Sequence, residues 1–253
     1  MGMDANRDQR MGRIAQWLLE HRITKSQTTA RKDWGEIADY TAKECPKKVA
    51  NQFLLCCLLQ YQINSRVGWE NGLHYVKEIS QCPDEVWREI SDHTKEGWES
   101  KFKEYGLHWM HNAHNRLCPI AKCICFHYDG DARRIWEDGN SFDVLCRLYY
   151  IGAGAQISRM IVGALKDCGY VFGKCDVKAD VYVCRVLGRA ISGIDASPVN
   201  AIELSRQLYP SDPWQLDSPL WHIGESYCEL TEPKCSECGL AENCLYAHEH
   251  ASQ

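Results

Sequence analysis

With 253 residues and 45% hydrophobic content, the chain carries enough apolar material to bury a core in one large domain or two smaller ones. No stretch approaches the roughly 18 apolar residues that a membrane-spanning helix needs, and Met1 to Arg10 is polar and mixed in charge. These features exclude integral membrane proteins and secreted disulfide scaffolds, and the expectation is a soluble intracellular protein whose fifteen cysteines stay reduced.

The formal charge of −5 argues against a uniformly basic nucleic-acid binder, but it is unevenly spread. Between Ala155 and Ala190, six basic residues stand against three acidic ones. From Asp212 to Gln253, Lys234 alone faces eight carboxylates.

Helical periodicity runs through almost the whole chain. Met11 to Glu20 places Ile14, Trp17 and Leu18 on one face, and Val49 to Leu59 is so apolar that it predicts a buried helix, with Cys56 and Cys57 as small hydrophobes. Pro83-Asp84, followed by Val86 and Ile90, starts another helix. His108, His111 and His114 recur every three residues, a spacing that suits a polar rim better than a metal pair. Cys118, Cys123 and Cys125 fit buried helical positions at least as well as a second ligand set. Ser141 is the expected cap of a helix carrying Val144, Leu145 and Leu148. After Tyr149 and Tyr150, which either line a pocket or pack behind a turn, comes Ile151-Gly152-Ala153-Gly154. This is either an ordinary inter-helix turn or a phosphate cradle made by the free N–H groups of the following helix, Ala155 to Leu165. Asp180 precedes an apolar helix and reads as its N-cap. With no β-hairpin signal, internal repeat or low-complexity tract, the fold class is all-α.

Near the C-terminus, Cys228, Cys235, Cys238 and Cys244 stand in the spacing C-x6-C-x2-C-x5-C. Four thiolates in one loop-rich segment can hold an iron–sulfur cubane or a tetrahedral zinc ion, although structural zinc sites usually bring their ligands in two close pairs and only one occurs here. The spacing resembles the iron–sulfur loop of the endonuclease III and MutY-type DNA glycosylases of the helix–hairpin–helix (HhH-GPD) superfamily. Other segments are similar to that family in the same order, over roughly residues 43 to 246. Leu58-Leu59-Gln60-Tyr61-Gln62 resembles the segment whose glutamine fills the gap left by an everted base, and Tyr150-Ile151-Gly152-Ala153-Gly154 resembles the hairpin. The stretch from Lys178 to Arg189 resembles the aspartate signature, and Trp221-His222-Ile223-Gly224 resembles the lead into the cysteine loop.

The resemblance implies a two-lobed helical glycosylase fold. A six-helix barrel domain with the helix–hairpin–helix is expected over 43–174, and a helical iron–sulfur domain over 1–42 plus 175–253, with the active-site cleft between them. It implies Asp180 as the catalytic carboxylate. Gln62, Gly152, Ala153, Gly154, Gln156 and Arg185 are implied at the DNA, and Cys228, Cys235, Cys238 and Cys244 as ligands of a [4Fe–4S] cluster. The implied activity is that of a monomeric DNA repair glycosylase that flips a damaged or mismatched base out of double-stranded DNA and excises it.

Departures from the family pattern refine this expectation. Gln156 stands where bifunctional members carry the lysine that forms a Schiff base, and its amide is not a nucleophile, so a monofunctional enzyme is expected. Lys166, Lys174 and Lys178 are the candidates for a displaced amine. Ile151 replaces the usual hairpin proline, and Glu229 and Glu232 make the cysteine loop repel phosphate, so its role is to bind the cluster rather than to touch DNA. The chain ends soon after Cys244, which disfavours the adenine activity of relatives with an extra C-terminal domain. The alternatives are a bifunctional glycosylase and lyase, or a non-catalytic DNA-binding or redox-sensing protein. The identity of the excised base is not legible in the sequence.

Overall fold

A computed structural model describes residues 2–22, 27–60, 65–104 and 113–250. In chain order the α-helices are α1 (Gly2–Glu20), α2 (Gln27–Trp34), α3 (Lys47–Leu58), α4 (Ser65–His74), α5 (Val86–Asp92), α6 (Lys95–Glu104) and α7 (Ala113–Tyr128). They continue with α8 (Arg133–Trp136), α9 (Ser141–Tyr150), α10 (Ala155–Asp167), α11 (Val181–Ser192), α12 (Pro198–Leu208), α13 (Asp217–Ser226) and α14 (Leu245–His250). Among the described residues the sole extended pairing is an isolated bridge between Asn140 and Phe172, so the all-α expectation holds. No helix among them is long and apolar enough to cross a membrane. The chain divides into two compact units, Met1–Thr24 with Lys174–Gln253, and Lys25–Gly173.

In the unit Lys25–Gly173, α3 is buried from Val49 to Leu58, as its mostly apolar sequence demands, and it packs against α4 and α10. Cys56 and Cys57 are fully buried there as small hydrophobes. Burying an amide is costly unless it is satisfied. Asn51, at 0% exposure, meets that cost by donating to the carbonyls of Asp84 (3.1 Å) and Gly130 (3.0 Å) and accepting from the Ala132 N–H (2.9 Å). Next to it, Asp131 accepts a forked pair of bonds from Arg133 (2.9 and 2.6 Å) as well as the Arg133 backbone N–H (3.0 Å). Burial pushes the Asp131 carboxyl up, but these bonds outweigh it and hold the group below the usual carboxylate range.

One expectation is corrected in this unit. The cap of α9 is Asn140, whose side chain accepts from the N–H groups of Phe142 (2.9 Å) and Asp143 (3.4 Å), not Ser141. Ser141 is already the first helical residue, and its N–H is drawn back to the Phe172 carbonyl (2.9 Å), an extended contact that composition does not announce. Of the histidine stripe, His108 and His111 lie outside the described residues, while His114 Nε2 lies 3.2 Å from the His93 carbonyl oxygen.

The unit of Met1–Thr24 with Lys174–Gln253 is built on α11, of which Val183 to Ile191 are all buried. Ile14 and Leu18 of α1, Ala201 and Leu208 of α12, and Leu220 and Ile223 of α13 close around it. Contact between α11 and α13 depends on a missing side chain: a Cβ on Gly224 would lie 2.4 Å from Cβ of Tyr182. Any larger residue there forces the helices apart.

Candidate functional site

The turn joining α9 to α10 is a helix–hairpin–helix element made almost entirely of main chain. Tyr150 ends α9, and Gly152 reverses the chain at φ +93°, a conformation that side-chain-bearing residues rarely adopt. The N–H groups of Gly152 and Ala153 return to the carbonyls of Tyr149 and Leu148 (both 3.0 Å). Ile151 and Ala153 are buried, Gly152 is exposed, and Ser158 Oγ donates to the Ala153 carbonyl (3.0 Å), bracing the turn from inside. Gly154 then opens α10 with no side-chain cap, and Ala155 and Gln156 are exposed in the first turn. A helix start of this kind points amide dipoles outward, where an anion can meet them. Beside it lies a small hollow lined by Leu58, Leu59, Arg116, Leu117, Ile120, Gly154 and Ile157. Tyr149 and Tyr150 do not pack behind the turn; they are 40% and 62% exposed, and the Tyr150 hydroxyl lies 2.9 Å from His127 Nε2. Gln62 lies outside the described residues.

Asp180 caps α11. Its Oδ1 accepts the N–H groups of Tyr182 and Val183, both at 3.0 Å. Its Oδ2 lies 3.5 Å from the ammonium of Lys178, and the two side chains are 13% and 18% exposed. Of the lysines considered as displaced amines, Lys178 is the one beside Asp180, whereas Lys166 donates to the Gly173 carbonyl and Lys174 is exposed. The Lys178 backbone is itself held: its N–H donates to Asp217 Oδ1 at 2.6 Å, and its carbonyl accepts the Asp180 N–H at 2.6 Å. Burial, with Asp180 and Asp195 adding, pushes the nearby Cys184 thiol up to about 11, so it remains neutral. Sequence reasoning did not find Asp217. It reads only as an acid in the first turn of a helix, and nothing in the spacing couples it to position 178.

Arg185 is placed differently from the expected DNA contact. It is 8% exposed, donating to the carbonyls of Cys228 and Gly224 (the latter at 3.2 Å) and lying 5.5 Å from the Tyr182 ring centre. In this position it fastens α11 to the end of α13 and the start of the cysteine loop.

All four loop cysteines, Cys228, Cys235, Cys238 and Cys244, border one small hollow, whose other walls include Val186, Arg189 and Ala190 of α11. Short 3-10 turns, Cys235–Glu237 and Ala241–Asn243, bring them round. Burial pushes the thiols of Cys235, Cys238 and Cys244 up, the last to about 11, so ionising them together requires a compensating cationic group. Among the described residues no three His, Cys, Asp or Glu side chains converge as a single metal ion requires. Arg189 closes one side. It donates to Cys228 Sγ (3.7 Å) and to the carbonyls of Glu229 (2.7 Å) and Leu230 (3.0 Å), pairs with Asp195 (2.8 Å), and lies 4.6 Å from the Tyr246 ring centre.

No family model and no curated protein matches the chain. Its fold does match solved structures. One is a trapped endonuclease III–DNA covalent intermediate in an estranged-adenine complex, with TM-score 0.58, 15% identity, and coverage of 89% of this chain and 99% of that one. Another is a non-covalent endonuclease III–DNA complex, with TM-score 0.58, 16% identity, and coverage of 90% and 99%. The chain therefore has the all-α fold of endonuclease III.

Proposed function

We propose that the protein is a DNA glycosylase of the endonuclease III kind that hydrolyses the N-glycosidic bond of a damaged or mismatched base in double-stranded DNA and leaves the sugar uncut. One observation carries this reading: on an endonuclease III fold, the glycine hairpin is followed in sequence by a helix whose first turn is held by Asp180. The hairpin grips phosphates through main-chain amides, which positions the duplex without reading its sequence. A base must leave the stack before its glycosidic bond can be reached, and Gln62 fills the vacancy. As the base departs, positive charge builds on the sugar; the Asp180 carboxylate stabilises it and orients or deprotonates the attacking water. Oδ1 is committed to the helix amides, which leaves Oδ2 for this work. Gln156 offers no amine, so water is the nucleophile.

The four cysteines are the thiols that would hold a [4Fe–4S] cluster, which when bound supplies four metal–thiolate bonds that tie the two ends of the loop together. Its expected role is structural. Excision by the purified, cluster-loaded protein is tested on duplex oligonucleotides that each carry one modified or mismatched base. The expected product is a strand that breaks only after alkali, and inertness on every substrate rejects the reading.

A further inference from the structure

Asp180 does not stand alone, and the pairing around it has a chemical direction. Its Oδ1 is saturated by two backbone N–H groups at 3.0 Å, so the carboxylate can act only through Oδ2, and 3.5 Å from Oδ2 stands the ammonium of Lys178. The pair is mostly shielded, at 13% and 18% exposure, which separates it from the solvated surface pairs that contribute little. Lys178 is not free to drift, because the buried Asp217 holds its N–H at 2.6 Å and its carbonyl receives the Asp180 N–H at 2.6 Å. A lysine placed by chance on a surface loop has no such backbone anchorage.

We propose that Lys178 is a positioning residue for the glycosylase reaction: its ammonium fixes the orientation of Asp180 Oδ2. The inference rests on the glycosylase reading. A carboxylate held by one oxygen can still swing its other oxygen out of line. The ammonium opposes this, as a point charge able to donate to Oδ2 while two N–H bonds remain for solvent or phosphate. Asp217 acts one step further back, setting where the lysine stem begins.

The test uses the full, cluster-loaded protein under single-turnover conditions on a substrate that the wild type excises. For Lys178→Met the excision rate should fall by about 10- to 100-fold while the dissociation constant for the same duplex changes by less than about 3-fold. Lys178→Arg, which restores a cation, should recover the rate to within about 10-fold of wild type. If Lys178→Met does not fold by circular dichroism, Lys178→Gln gives the same comparison. Unchanged excision by Lys178→Met overturns the inference and leaves the glycosylase reading standing. So does a loss of affinity as large as the loss of rate, which makes Lys178 a phosphate contact. A borohydride-trapped DNA adduct that forms with wild type and vanishes in Lys178→Met also overturns it, since the lysine is then the nucleophile. A wild type that excises no base removes the reading and this inference together.

Discussion

Substituting Asp180 separates its two duties, because asparagine and alanine remove different things. Asparagine keeps an oxygen for the N–H groups of Tyr182 and Val183, so Asp180→Asn should retain the melting temperature and duplex affinity while excision falls by at least about 100-fold. Alanine loses the cap as well, at about 1 kcal/mol. Near-normal turnover by Asp180→Asn would remove the carboxylate from the chemistry. Asp131 offers a second measurement at the same scale. Its folded pKa lies below that of an unfolded aspartate, so the stability it contributes is present above about pH 4 and is lost as pH falls through the depressed folded value. Asp131→Asn should cost about 2 kcal/mol at neutral pH and flatten the acid side of the stability curve, as read by urea titrations from pH 6 to 2. Superimposable acid limbs for wild type and variant would contradict this.

Elements were legible where a run of residues had a single physical outcome. The unbroken apolar run from Phe53 to Leu59 has no alternative to burial, and Ile14 with Leu18 has one face to hide. The hairpin was legible from its glycines, because Gly152 at φ +93° is a backbone demand that few other residues meet. What stayed hidden depended on partners distant in sequence. Asn140 rather than Ser141 caps α9, with the serine N–H drawn to Phe172, and Arg185, which the resemblance implies at the DNA, donates to the carbonyls of Gly224 and Cys228. Asp217 was invisible for the same reason. For the hairpin, a methyl group on Gly152 meets only Ile120 at ordinary contact distance, so the penalty of Gly152→Ala is backbone strain of about 1 kcal/mol. That strain should weaken binding to any duplex by about 5-fold whatever its sequence, in fluorescence anisotropy titrations. A sequence-dependent loss would mean that the turn reads bases.

Across the molecule, the acidity of the sequence gathers in the unit that carries the cysteines, where Glu229 is paired with Lys234 (2.7 Å). The four thiols border one hollow, and a metal group bound to them would add its binding energy to the folded state. Removing iron with a chelator under reducing conditions should lower the melting temperature by roughly 10 °C, equivalent to about 4 kcal/mol in a chain of this size. An iron-free protein that melts with the loaded form would show that the loop stands without a metal. The fold as a whole was legible because several short patterns fell in one order along the chain. The pocket that chooses a base was not, since it is assembled from side chains that no common spacing links.

α11 begins at the acid and, nine residues later, reaches Arg189 on the rim of the thiol hollow, a separation of about 14 Å at 1.5 Å per residue. From Val183 onward the helix is buried on every side, so it behaves as a stiff rod with the acid near its tip. Slackening the loop should therefore reach the acid as a tilt of a few tenths of an ångström, with no bond in between made or broken. Amide exchange at Tyr182 and Val183 is the place to look for it, and identical protection in loaded and iron-free protein would mean that the rod does not move.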